Sequence, residues 1–264
     1  MKFSLKKLLA QSYLWLLILI IYSPIFIIIV FSFTETKVLG NWTGFSLQLY
    51  RNIFDFNSNS GIMNALYNTL FIAFIASLGA TLLGTISAIG IFNLKRKLRN
   101  TISFFNSIPI INPDIITGIS LFLLFVWLGV SKGYATVILS HITFCVPYVV
   151  LSVMPRLKTM NPNIYEAAID LGATPKQALW KVVFPEIRPA VITGFILSFT
   201  LSIDDFAVSL FTKGNIGLET LSTYIYSDTR RGGLTPELRP LSALIFIVVL
   251  VLLLVLNSRK SKAE

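Results

Sequence analysis

Residues 161–185 read NPNIYEAAIDLGATPKQALWKVVFP, and their local chemistry divides them into two short helices. Asn161 suits the cap of the first helix, and Pro162 suits its first position, where a missing N–H is harmless. The helix then covers NIYEAAIDL and ends at Gly172, which can take the left-handed conformation of a C-terminal cap. Thr174, Pro175 and Gln177 open the second helix with a capping box, and KQALWKVVF runs to a stop before Pro185. Ile164, Ala167, Ala168 and Leu171 recur at i, i+3, i+4 and i+7, which predicts an apolar stripe on the first helix. Leu179, Val182 and Val183 predict one on the second. A compact helix pair of this kind can seat in a partner's groove or lie as a connector on a membrane surface.

The hairpin is a polar interval in an oily chain. Of the 264 residues, 55% are hydrophobic and 13% charged, with a mean hydropathy of +0.76; an ordinary soluble domain carries about 25% charge. This composition excludes a soluble globular domain, a disordered chain and a nucleic-acid module. Six runs approach or exceed the ~20 residues that cross a bilayer: 13–33, 65–92, 104–127, 134–154, 190–211 and 240–256. The first is too long for a cleaved signal peptide and contains Pro24, a candidate bend. The second contains Gly79, Gly84 and Gly90, which permit close helix contact. The expected fold is therefore all-α: a polytopic membrane protein with six transmembrane helices in a single domain, 1–264.

Six crossings place both ends on one side, and basic residues decide which. With the N-terminus inside, fifteen of the 22 basic residues fall on inner segments and six outside, with Arg239 at a boundary. The expected topology is N-in/C-in, with 155–189 as a cytoplasmic loop. The net charge of +10 then marks a membrane side and not a nucleic-acid face. Two outer loops, 34–64 and 212–238, are long enough to be polar connections or docking surfaces. Residues 220–226 read as a short interfacial helix carrying Tyr224 and Tyr226.

Within the hairpin, Glu166, Ala167 and Ala168 stand together, Gly172 follows after three residues, Trp180 after seven more and Pro185 after another four. This spacing resembles the EAA signature of the binding-protein-dependent ABC-importer permeases. Trp180 stands for the usual Phe, Val183 for Ile, and Phe184 with Pro185 for Leu-Pro. The resemblance implies the type I, MetI-like permease fold. It also implies a homologous second permease subunit, a cytosolic dimer of ATP-binding subunits and an extracytoplasmic substrate-binding protein. In that family the 155–189 loop is the coupling element, seated in a cleft of the ATPase. Glu166 and Ala167 would touch the ATPase beside Ala168, and Gly172 would allow the turn. The chain holds no G-x-x-x-x-G-K-[ST] phosphate loop, so ATP hydrolysis is expected on a partner and no catalysis here. No cofactor or metal site is expected either. His141 and Cys145 are each alone in the chain, lie in an apolar stretch and are accounted for by packing.

Acidic residues inside a membrane are costly and are functional candidates. Asp114 follows Asn112 and Pro113 near the middle of the third run, where Pro109 and Pro113 are expected to break the helix. It either caps the restarted helix or lines a pathway. Asp204 and Asp205 are adjacent in the fifth run, and about 100° of helical rotation lets one face a lumen and the other a neighbouring helix. Trp127, Tyr148 and Phe206 offer aromatic faces to a cation. The runs NPDIITGIS (112–120) and SFTLSIDDF (198–206) resemble those of the polyamine permeases of the same family. That resemblance implies spermidine or putrescine as cargo. Another amine, a metal cation or an anion is the alternative, ahead of a standalone secondary transporter, whose inverted repeat is not evident.

Overall fold

The computed structural model describes residues 5–36, 40–54, 60–161, 163–214, 217–231, 233 and 235–260, and no strand occurs among them. Pro162, expected at the start of the hairpin's first helix, lies outside these residues. The helices are α1 (Leu5–Phe31), α2 (Gln48–Phe54), α3 (Ser60–Phe92), α4 (Arg96–Ile111), α5 (Asp114–Trp127), α6 (Tyr134–Thr159), α7 (Asn163–Asp170), α8 (Pro175–Ala178), α9 (Phe184–Asp204), α10 (Ala207–Thr212), α11 (Leu221–Arg230) and α12 (Leu238–Lys260). The segment 220–226, read as a short helix, begins α11.

The number of spans differs from the expected six. Among the described residues, four helical stretches are long and apolar enough to cross a bilayer: Gln11–Phe31, Gly61–Phe92, Tyr134–Thr159 and Pro175–Asp204. A fifth exists only if α4 and α5 are taken together, and they meet at a bend of 103°. The bend has a local cause. Pro113 lacks an N–H and disfavours helical backbone in the residue before it, and Asn112 is extended at φ −74°, ψ 134°. Pro109, the other expected break, lies inside α4 without ending it. The sixth expected run falls in α12, whose described apolar stretch is Leu238–Ile247 and does not count as a span. Four spans, or five with the bent pair, thus replace six. The N-in/C-in topology rested on six crossings and falls with them.

The hairpin's caps form as its residues dictate. Asn161 Oδ1 accepts from the N–H of Asn163 at 3.0 Å. At the far end of α7, the N–H of Gly172 reaches the Ile169 carbonyl at 2.8 Å and that of Ala173 the Ala168 carbonyl at 3.0 Å, the paired bonds of a Schellman cap. Gly172 takes φ +89°, which a side chain would strain. The Thr174–Gln177 capping box closes with bonds of 2.9 and 3.3 Å.

Two expectations here are corrected. Leu171 follows the last helical residue, swings out with the cap and is 89% exposed, and Ala167 is exposed too, so the inward face of α7 is Ile164, Ala168 and Ile169. The second helix does not stop before Pro185. A π-helical turn at Leu179–Val183 carries it into α9, with the Phe184 N–H bonding back five residues to Leu179. The wider turn absorbs the carbonyl clash and the lost donor that a proline imposes on an α-helix.

The chain forms two compact units, one of residues Met1–Met63 with Ile225–Glu264 and one of Asn64–Tyr224. In the first, α1 and α2 pack on α12. The Arg239 guanidinium donates to the Thr36 carbonyl at 2.8 Å, and the Ser32 and Tyr50 hydroxyls meet at 2.8 Å. In the second, α6 is the hub, packed by α4, α5, α9 and α10. Its residues Cys145, Val149, Val153 and Leu157 share a core with Ala80, Ala88 and Ile91 of α3 and with Val183 and Ile187.

Lipid is as apolar as a side chain, so helices in a bilayer hold together by close packing. The buried edge of α3 accordingly includes many small residues, Ala65, Ala73, Ala76, Ala80 and Ala88, beside the larger Ile72 and Ile91. At Gly84 the fit is tightest, since an added Cβ would stand 2.6 Å from Val149 Cβ and 3.2 Å from the Val146 carbonyl oxygen. Of the three glycines expected to allow close contact, Gly79 and Gly84 face α6, whereas a Cβ at Gly90 meets nothing within 4 Å. Gly84→Ala is therefore expected to lower stability by about 1–3 kcal/mol through overpacking. Gly90→Ala is expected to raise it by roughly 0.5–1 kcal/mol through helix propensity. Thermal unfolding of the two variants in detergent checks the opposite signs.

Candidate functional site

Two helix breaks meet at one cavity inside the larger unit. The cavity, about 430 Å³, is lined by Pro113, Asp114, Ile115, Phe144, Tyr148, Leu201, Asp204, Asp205, Phe206 and Ala207. Gly118 explains the approach of the two breaks. It lies one turn after Asp114, and its missing side chain leaves space that the Ala207 carbonyl oxygen and Val208 Cα would close to 3.1 and 3.2 Å of an added Cβ. Helix α5 thus lies directly against α10, and Asp114 faces the Asp205–Ala207 break.

The first break is made by Pro113, which is itself the N-cap of α5. Asp114 makes no capping hydrogen bond, contrary to one of the two readings of it. It occupies the first turn of α5, where a negative charge suits the helix dipole, and is exposed to the cavity.

The second break has no proline. Helix α9 ends at Asp204, Asp205 is extended at φ −63°, ψ 132°, and α10 starts at Ala207. Asp205 secures the restart. Its carboxylate accepts from the N–H of Val208 at 3.1 Å and of Ser209 at 2.8 Å, and its carbonyl accepts from Ser222 Oγ at 2.7 Å. Its side chain is only 5% exposed, and His141 Nε2 stands 3.4 Å away. Asp204 is exposed at the cavity wall. The two neighbouring carboxylates part company because the helix breaks between them, and not through the rotation of a continuous helix.

The structure brings Asp114, Tyr148, Asp204, Asp205 and Phe206 to this cavity and leaves Trp127 out. Trp127 ends α5, about 20 Å along the helix from Asp114, and is 81% exposed. His141 is more than a packed ring. It is fully buried, its Nδ1 lies 2.6 Å from Ser202 Oγ, and its Nε2 lies 3.0 Å from Ser209 Oγ. Its only sequence signal is a single imidazole in an apolar run. Cys145, one turn on, is buried in the core.

The hairpin residues lie elsewhere. Glu166, Ala167 and Gly172 are exposed and Ala168 is half-buried. Glu166 also edges a second cavity of about 530 Å³ under the hairpin, with Tyr165, Lys176 and Asn93 at its polar rim and Leu157, Leu179 and Val183 among its apolar walls.

Residues 80–259 match the family described as the binding-protein-dependent transport system inner membrane component. The chain belongs to that family. This permease is 36% identical over 232 residues to the putrescine transport system permease protein PotI of Escherichia coli (strain K12), covering 85% of this chain and 81% of that one. It is 34% identical over 244 residues to the spermidine/putrescine transport system permease protein PotC of Haemophilus influenzae, covering 92% and 93%. Among solved structures, its fold matches a chain of a bacterial ABC transporter that imports the acidic polysaccharide alginate, with TM-score 0.71 at 14% identity over 97% and 95% of the two chains. It also matches a chain of the MetNI methionine ABC transporter, with TM-score 0.60 at 20% identity over 76% and 95%. The chain is thus an ABC-importer permease subunit, a transport component and not an enzyme. It is multi-pass in a bacterial inner membrane, in the family's general architecture of paired permeases, ATPase and substrate-binding protein.

The two aspartates of the break are expected to behave differently on substitution. Asp205→Ala removes two N–H partners and leaves His141 short of one, a loss of roughly 2–4 kcal/mol. Asp204→Asn at an exposed position is expected to stay within about 0.5 kcal/mol of the parent. Thermal unfolding of the purified variants checks this.

Proposed function

We propose that this permease forms part of the path by which an ABC importer carries linear polyamine cations, spermidine or putrescine, into the cytoplasm. The observation that carries this reading is the cavity where Asp114 and Asp204 stand beside Tyr148 and Phe206. Carboxylates bind ammonium groups, and aromatic faces attract them further once water is displaced. The chain interruptions add to this, since α9 ends at the cavity and brings the negative end of its dipole there, while the positive end of α5 is occupied by Asp114. The positive end of α10 is already occupied by Asp205. An alternating row of amines and methylenes matches such a wall of acids and rings. The names of PotI and PotC support the same cargo class.

The hairpin is the part we assign to the ATPase. It is capped at both turns, exposes Glu166, Ala167 and Gly172, and is flanked by Arg156, Lys158, Lys176 and Lys181, the basic signature of a cytoplasmic loop. Closure of two ATPase subunits requires an element stiff enough to pass on rigid-body motion. Arg156 bonded to Glu186 at 2.6 Å ties the end of α6 to the start of α9 beside it.

Radiolabelled spermidine uptake into vesicles containing the complete assembly, with putrescine as competitor, tests the cargo. Asp204→Asn and Asp114→Asn are each expected to lower uptake about 10- to 100-fold, the loss of one charged contact of roughly 1.5–3 kcal/mol, with assembly intact. Normal uptake in both variants, or competition by anions instead of putrescine, removes the reading. Glu166→Lys is expected to leave ATP hydrolysis running while uptake falls, and an unchanged ratio of transport to hydrolysis refutes the hairpin's role.

A further inference from the structure

His141 belongs to neither the cavity wall nor the hairpin, yet it is the one titratable ring buried completely in the larger unit among the described residues. Its place in the chain packing is specific. It projects from α6, the hub helix, into the gap where α9 has ended and α10 has not begun. Nδ1 meets Ser202, in the last turn of α9, at 2.6 Å, and Nε2 meets Ser209, in the first turn of α10, at 3.0 Å. The same Nε2 is 3.4 Å from the Asp205 carboxylate at the break itself. One rigid ring therefore touches the chain before, at and after the interruption. An imidazole is well suited to this, since its two nitrogens lie on opposite edges of a plane with no rotatable bond between them. Ser202 and Ser209 are themselves buried.

We propose that His141 is a positioning residue for transport: it brackets the helix break, holds Asp205 inward as the cap of α10, and so leaves Asp204 facing the cavity as the acid that meets cargo. This rests on the cation-path reading above. Without the bracket, Asp205 keeps its Val208 and Ser209 N–H bonds but loses the ring packed against its carboxylate, so the break and the Asp204 it carries are held less firmly.

The test is the half-saturating spermidine concentration for uptake by the complete reconstituted assembly, with copurification of the ATPase as the measure of intact folding. His141→Ala is expected to raise that concentration about tenfold, within the range of couplings between contacting residues. His141→Gln places an amide near the position of Nε2 and is expected to restore it to within about threefold, because it keeps the Asp205 and Ser209 side of the bracket. The discriminating measurement is the pairing of His141→Ala with Asp204→Asn. If His141 acts through Asp204, its effect shrinks to under about twofold in the Asp204→Asn background, whereas a merely structural role adds in full. Should His141→Ala not assemble, Ser209→Ala, which removes a single hydroxyl, carries the same pairing. If Asp204→Asn impairs uptake but the His141 effect is absent or fully additive, the positioning role is overturned and the cation path stands. If Asp204→Asn alone changes nothing, the positioning role is overturned, and the cation path then stands or falls with Asp114→Asn.

Discussion

A helix that stops inside a bilayer leaves backbone donors and acceptors that lipid cannot satisfy, so irregular backbone is tolerated there only where protein or a polar cavity receives it. The larger unit contains two helix stops beside apolar helices, one at Asn112–Pro113 and one at Asp205–Phe206, and one cavity receives both. Pro113 solves half of the first by having no N–H to leave unpaired. Asp205 solves the second by turning its carboxylate onto the N–H groups of Val208 and Ser209. Both stops open on the same cavity, whose wall carries both Asp114 and Asp204.

The legibility of these features from residues alone follows their physical range. The caps at Asn161, Gly172 and Thr174 depend on bonds spanning five residues or fewer, and each forms where the local chemistry puts it. The break before Asp114 was equally visible, because proline acts on its immediate neighbours. The break after Asp204 was not. SIDDFAV contains neither glycine nor proline, and beside the local cap of Asp205 its long-range contacts come from His141, 61 residues from Ser202 and 68 from Ser209. A ring that looks like packing in one dimension becomes a cross-brace in three.

Hydropathy misled in a related way. An apolar run reports that its residues tolerate lipid, and not that the backbone through it is continuous, so 104–127 counted as one crossing although it turns by 103° at Asn112. Pro185 misled in the opposite direction. As a breaker it suggested an end to the hairpin, yet the π-helical turn at Leu179–Val183 gives the chain one more residue per turn and carries the helix past it.

That turn has a mechanical consequence. Because the helix is not interrupted at Pro185, Pro175–Asp204 is a single stretch of 30 residues, about 45 Å from end to end. One end is the capped turn at Thr174 and the other is the carboxylate at the cavity wall. A lever of that length converts a tilt of about 5° at one end into roughly 4 Å of travel at the other, comparable to the separation of a carboxylate and an ammonium in contact. The arm that reaches the hairpin is therefore long enough for a small rotation there to shift the Asp204 carboxylate by that distance without any residue in between changing its conformation.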